Sequence, residues 1–342
     1  MGRGECIMSR YVPIQRGLPS YFNPMLRDTG RLKAYQRAIS DMIERFKAAV
    51  GRAPHVVDLG AGTGLLSKLA LDSGAERVTL VDVNSDMLDM ATQALVDHGY
   101  HKDRDFFVFH GSFTKINHNT TVWQSGVEEP FDMLVCEILG TLTTTESMHE
   151  YIVDALKHVR SFNGGQFVIP ARATQSLSLC ELSVADEDDL CTRYPHDNLI
   201  PAWEDETVAR FVPTNDLQLF NLHLKPFMVH ASGPIRVDTF DVIGTTLPPV
   251  SLSVPSSLSS NHFLVLEWTC TLSEGVELKN TLHGYKEDPA VGVDRAVAWG
   301  FFLAECGPLY DLCGRTVQFR VSYPRNAKGW PRISLASKKR RK

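Results

Sequence analysis

From His55 to Pro170, short apolar runs alternate with amphipathic stretches, and beyond Pro170 that alternation stops. "HVVDLG", "RVTLVDV", "DFFVFHG", "FDMLVCE" and "GGQFVIP" are strand-like, whereas "GLLSKLALDSG", "SDMLDMATQALVDHG" and "SMHEYIVDALKHV" carry apolar residues at helical spacing. Strands joined by helices pair in parallel, so this half predicts a helix-covered parallel α/β sheet. Gly74 is placed to end the first of those helices and Ser85 to cap the second. Upstream, "LKAYQRAISDMIERFKAAV" (32–50) predicts a further helix from apolar positions three and four apart. After Pro170 the runs "TQSLSLCEL", "FNLHL", "HFLVLEWTCTL", "AVAWGFFLAE" and "TVQFRVSY" sit between turn-rich segments, the pattern of a β-barrel or sandwich. The Ser-rich "SLSVPSSLSSN" (251–261) reads as a loop, and the acidic segment 183–213 as an excursion that does not alternate like a strand.

Bulk properties narrow the function classes. A formal net charge of −5 offers no global basic field, so direct nucleic-acid binding is not expected. The 7 cysteines form neither a C-x-x-C pair nor a Cys/His cluster with zinc spacing. Reduced thiols in an intracellular, cytoplasmic protein with no metal site are the expectation. No apolar run approaches the roughly 18 residues of a membrane span, and "MGRGECIMSR" lacks the apolar centre of a signal peptide. The terminal "SKKRRK" is a candidate nuclear address, although such runs are more often solvated tails.

The first strand runs into "DLGAGTG", Asp58 to Gly64, with Gly60, Gly62 and Gly64 in G-x-G-x-G spacing. Leu65 stands where a dinucleotide fingerprint wants its third glycine. Glycines here let the backbone turn sharply and approach a ligand without a Cβ in the way. Asp82 closes the second strand, where a carboxylate can accept both ribose hydroxyls of an adenosine. This combination fits S-adenosylmethionine better than a nicotinamide dinucleotide, since no pyrophosphate need sit on the following helix. Ser112, after the strand "DFFVFHG", is a candidate for lining the adenine, or an ordinary turn serine.

"CEILGTLTTTESM", Cys136 to Met148, holds Glu137 and Glu146 with no Lys, Arg or other acid between them. Paired carboxylates accept the planar donor fork of a guanidinium through charge-assisted bonds. The missing cation is therefore expected to come from the substrate. Held at its other nitrogens, a guanidinium keeps electron density on one terminal nitrogen, and in-line placement of a methyl donor then supplies much of the rate. A capping acid beside an exposed loop acid is the plainer alternative.

Four stretches resemble the protein arginine N-methyltransferase family. These are "SYFNPMLRDTGRLKAY" (Ser20 to Tyr35), "VVDLGAGTGLLSKLALDSGA", "CEILGTLTTTESM" and "GGQFVIPARATQSL". The wording of "TGLLS" and "EILGT" is similar to the monomethylating, type III branch. The resemblance implies a class I methyltransferase Rossmann-like sheet followed by a β-barrel. Its expected units are an N-terminal helical segment (1–50), an S-adenosylmethionine domain (51–170) and a substrate barrel (171–342), with 183–213 as dimerisation arm. It implies that Arg31 grips the cofactor carboxylate, that Tyr21, Met25 and Met148 surround the methyl group, and that Asp28 orders the floor. Glu137 and Glu146 would hold the substrate arginine, S-adenosylhomocysteine would be the co-product, and Arg-Gly-rich or histone-like proteins the substrates of a homodimer.

The family's Thr-His-Trp loop, however, is altered. An ungapped register puts Asp294-Arg295-Ala296 there, with Arg295 set to pair with Asp28; a gapped one puts Val297-Ala298-Trp299. That departure motivates a second reading, a catalytically silent regulatory subunit; a third, a methyltransferase acting on a small amine, is disfavoured because the acid pair suits a guanidinium better.

Overall fold

The computed structural model describes residues 26, 28–112, 130–140, 143, 148–163, 165–183, 200–201, 210–213, 223–230, 235–237, 249–258, 262–280, 302–324 and 332–335. Helix α1 (Thr29–Val50) buries Tyr35, Ala38, Ile39, Met42, Ile43 and Phe46, one stripe at three- and four-residue spacing. Asp28 caps its start, and Gly51, at φ 79°, ends it by donating its amide to the Lys47 carbonyl.

The parallel sheet contains β1 (His55–Leu59), β2 (Arg77–Asp82), β3 (Phe106–His110), β4 (Met133–Cys136) and β5 (Phe167–Ile169), in the order β3-β2-β1-β4-β5. Each described pairing is parallel. Every residue of β1 is buried, as a strand covered on both faces requires. Helices α2 (Leu65–Asp72), α3 (Ser85–Asp97) and α4 (Met148–Leu156) alternate with these strands as expected. One detail differs: Asn84, not Ser85, caps α3, its side-chain oxygen accepting from the amides of Asp86 and Met87. Asn84 is extended and Ser85 already helical, so only the former can aim an oxygen at the free amides of the first turn.

Beyond Pro170 the pairings are antiparallel. β6 (Arg172–Ser183) and β12 (His262–Ser273) pair over ten residues, from Arg172 opposite Thr271 to Glu181 opposite His262. Around this spine lie β7 (Ile200–Pro201), β8 (Arg210–Pro213), β9 (His223–His230), β10 (Ile235–Val237), β13 (Val276–Asn280) and β14 (Phe302–Glu305), which make an eight-stranded sheet. A second sheet joins β11 (Val250–Ser253), β15 (Thr316–Ser322) and β16 (Arg332–Leu335).

Two sequence expectations change here. Ser251 to Ser253 are not loop but strand, paired with Thr316 to Gln318. The segment 183–213 is not wholly an excursion, since Arg210–Pro213 pairs with β14 and Ile200–Pro201 with β8. Polar composition hid the first, an edge strand of its sheet, and shortness hid the second pair, which are four and two residues long.

One apolar core spans the two halves. Tyr35, Ile39 and Ile43 of α1 share it with Val56, Leu80 and Leu134 of the parallel sheet and with Trp268, Cys270, Leu272 and Leu278 of the antiparallel one. Helix α1 is thus the wedge between the sheets, and it carries Arg31 in its first turn. At the opposite, amino edge of the parallel sheet, Asp132 takes a bidentate pair from Arg52 at 2.6 and 2.7 Å and the His55 amide at 2.9 Å. Burial, with Arg77 next, holds the His55 imidazole down to about 3, so that ring stays neutral. Among the described residues, no helix is long and apolar enough to cross a membrane.

Candidate active site

The chain visits β1, β2 and β3 in one direction across the sheet, then jumps back to place β4 on the other side of β1. Ligands of open α/β sheets sit outside the carboxyl ends at such a reversal. The register aligns Cys136, Leu59 and Val81 across β4, β1 and β2. The next residues along that edge are Glu137, Gly60 and Asp82. Three stretches far apart in sequence therefore meet in one row.

The glycine loop is held at three points. At its base, Asp58 Oδ2 accepts from the Ser67 amide at 2.9 Å and the Ser67 hydroxyl at 2.7 Å, tying β1 to α2. At its apex, the Gly62 amide donates to Asp82 Oδ2 at 2.8 Å, while Asp82 Oδ1 accepts from the Asn84 amide at 2.9 Å. Between them, the Gly60 and Ala61 amides both donate to the Val81 carbonyl, at 2.8 and 3.1 Å. Gly60, Gly62 and Gly64 have φ of 70°, 51° and 75°, a region open to glycine at no steric cost. At Gly60 there is a second reason. A Cβ there would lie 2.9 Å from Cγ1 of Ile138, so its absence lets the loop close onto the residue after Glu137.

Asp58 is fully buried, and burial pushes its carboxyl up to about 7 against the two Ser67 bonds that lower it. An acid whose pKa is raised by folding contributes stability that is fully present below its ordinary value and lost as pH rises through the folded one. Asp58→Asn retains an acceptor for Ser67 and removes that titration. Its stability relative to wild type is expected to rise by on the order of 4 kcal/mol between about pH 4 and about pH 8. Urea unfolding of both proteins across that range checks it; a difference independent of pH would contradict it.

Across the row, Arg31 Nη1 lies 3.1 Å from Glu137 Oε1, and both side chains are about nine-tenths buried, at 9% and 12% exposure. Two contacts aim Arg31 there. Asp28 Oδ1 accepts from the Arg31 amide at 2.9 Å, fixing the first turn of α1. One turn on, the buried Tyr35 hydroxyl donates to the Cys136 carbonyl at 2.9 Å, pinning the helix to the end of β4. Burial, then the charge of Glu137, drives that phenol far above its usual range, so it remains a donor. The expectation that the acid pair has no cation of its own holds along the chain but not in space, because Arg31 arrives from 106 residues away.

Residues 56–160 match the family model described as a methyltransferase domain. The chain is 30% identical over 234 residues to protein arginine N-methyltransferase 7 of Drosophila willistoni, covering 64% of this chain and 31% of that protein. Over that span the chain is similar to a protein arginine N-methyltransferase. A second match, to a probable protein arginine N-methyltransferase 3 of Oryza sativa subsp. indica, is 30% identical over 161 residues, 44% of this chain and 24% of that one. The chain thus spans less than a third of the length of these arginine methyltransferases. In fold it is similar to the Trypanosoma brucei PRMT1 enzyme–prozyme heterotetrameric complex with AdoHcy, at TM-score 0.57 and 18% identity, over 89% of this chain and 87% of that one.

Of the residues expected from the cofactor-loop motif and from the arginine methyltransferase resemblance, Asp28, Arg31, Asp58, Gly60, Gly62, Gly64, Asp82 and Glu137 gather along the carboxyl edge or brace it. Ser112 follows Gly111, whose amide donates to the Asp82 carbonyl at 2.8 Å, and is half-buried beside that edge. Met148 is 1% exposed, at the start of α4 and within the core. Tyr21, Met25, Glu146 and Arg295 lie outside the described residues, as do both registers of the altered loop. Tyr35 and Ile138, which shape the site, were given no role from sequence. Tyr35 closes the N-terminal signature and so was visible there, whereas Ile138 reads as one more apolar residue.

Proposed function

We propose that the chain transfers a methyl group from S-adenosylmethionine to a guanidinium nitrogen of protein arginine, with monomethylarginine as product. The observation that carries this reading is the Arg31–Glu137 contact, which brings the residue assigned to the cofactor and the one assigned to the substrate within 3.1 Å. The residues fit the cofactor. Asp82 spends one backbone bond on each oxygen, and a carboxylate has about four acceptor sites, so it retains capacity for ribose hydroxyls. Gly60, exposed and unable to accept a Cβ, leaves room over the loop. When bound, S-adenosylmethionine supplies an electrophilic methyl on a sulfonium.

The chain's own residues then do the rest. A guanidinium has five N–H donors, so Arg31 can hold a carboxylate of the cofactor while remaining beside Glu137. Glu137, with Glu146, accepts N–H bonds from the substrate guanidinium and keeps it in one plane. Arg31 offsets one of the two carboxylate charges, and the charge that is left favours a positively charged acceptor over a neutral amine. Arg-Gly-rich or histone-like proteins are the proposed substrates, and a cytoplasmic homodimer, with 183–213 in its interface, is the proposed assembly.

The test is incubation of the chain with labelled S-adenosylmethionine and an Arg-Gly-rich peptide, followed by mass spectrometry of the product. Monomethylarginine is expected. Absence of transfer would count against the activity, and dimethylarginine against the product. The altered stretch 294–299 favours one other reading, a silent subunit that binds a methyltransferase partner. Turnover by the isolated chain excludes it.

A further inference from the structure

Thr143 lies between Glu137 and Glu146 in sequence and is 2% exposed. Its hydroxyl accepts from Gln175 Nε2 at 2.7 Å. Gln175, the fourth residue of β6, is fully buried and pairs in register with Trp268 of β12. Its Oε1 in turn accepts from the hydroxyl of Tyr323, also fully buried, immediately after β15. A polar chain thus runs from the acid loop, through the centre of the eight-stranded sheet, to the end of the three-stranded one.

Its neighbours along β6 and β12, Ala173, Leu179, Leu266 and Trp268, are apolar and buried. A leucine at 175 would suit that setting without any desolvation of polar groups. Burying an amide and two hydroxyls there is tolerable only because each meets a partner, and a fully satisfied buried network specifies one arrangement. What this network specifies is where Thr143 sits against the antiparallel sheet.

We propose that Gln175 is a positioning residue that clamps the acid loop, through Thr143, in the arrangement that receives the guanidinium. The proposal rests on the reading of Glu137 and Glu146 as the guanidinium site. The glycine loop keeps its own braces, Asp58–Ser67 and Asp82–Gly62, and the network joins the acid loop at Thr143, six residues beyond Glu137. Loosening the clamp therefore acts on the acceptor more than on the cofactor.

The experiment uses the full chain carrying Thr143→Val, Gln175→Leu or Tyr323→Phe, with Thr143→Ser as the conservative variant. Amide hydrogen exchange is followed in peptides spanning 137–148 and in peptides from β1 to α2. In Thr143→Val and Gln175→Leu, the 137–148 peptides are expected to exchange about tenfold faster, with the others unchanged and Thr143→Ser like wild type. The KM for an arginine peptide should rise about tenfold while the KM for S-adenosylmethionine stays within about twofold. Exchange that is unchanged in all three variants, or raised uniformly along the chain, overturns the clamp. If wild type transfers no methyl group, the activity reading falls, and the exchange result still decides the clamp. Tyr323→Phe, which removes one hydroxyl and keeps the ring, reports on the network should the leucine variant fail to fold.

Discussion

Glu137→Gln is expected to lower kcat/KM for an arginine peptide by about a thousandfold while the chain stays folded. Glutamine keeps the shape of the side chain and one oxygen for Arg31, but not the charge. The acceptor would then meet a neutral amide, about nine-tenths buried, where a carboxylate had met its cation. Bonds to charged groups are about twice as strong as neutral ones, and in a site shielded from water that difference falls on the transition state as well as on binding. Arg31 loses the charge of Glu137 in the same step, so unfolding free energy should fall by about 1–3 kcal/mol. S-Adenosylmethionine binding, measured by calorimetry, should remain within a few-fold of wild type. A variant retaining more than about a tenth of wild-type kcat/KM would remove Glu137 from the chemistry.

Arg31→Met should fail a different measurement. Methionine fills the volume of the first turn of α1 but offers no donor. The Kd for S-adenosylmethionine is expected to rise about a hundredfold, the usual consequence of truncating one partner of a buried, hydrogen-bonded charge pair. Glu137 would be left in the same 12%-exposed position without the guanidinium 3.1 Å away. Part of the stability loss should accordingly be recovered in the double variant Arg31→Met/Glu137→Gln, with a coupling of about 1–3 kcal/mol. Additive losses in a double-mutant cycle would show that the contact carries no energy, and an unchanged Kd would show that Arg31 does not hold the cofactor.

These two variants would separate the roles because the ion pair joins two functions rather than serving one. The sequence reading treated Glu137 as an acid awaiting a cation from outside. That inference looked only at the residues between Cys136 and Met148, where no base occurs. It could not see α1 crossing the end of β4, an approach set by the buried stripe from Tyr35 to Phe46 and by the Tyr35–Cys136 bond. The Ser251–Ser253 strand was missed for a related reason: its partner is β15, more than sixty residues on. Short strands with polar faces announce themselves through pairing, not composition.

Local order was what the amino-acid sequence determined by itself. Alternating apolar periods dictated the parallel sheet and its helices, the glycines at 60, 62 and 64 dictated the loop, and the change of texture at Pro170 dictated the switch to antiparallel strands. Each of these depends on backbone preference and on periodic burial within a dozen residues, which a linear reading can detect. Tertiary structure alone decided which ends meet. The reversal between β1 and β4 brought Gly60 against Ile138, α1 delivered Arg31 to Glu137, and the second half of the chain supplied Gln175 and Tyr323 to brace Thr143. Those contacts join residues 32 to 148 positions apart, and they exist because a shared core packs in only one way.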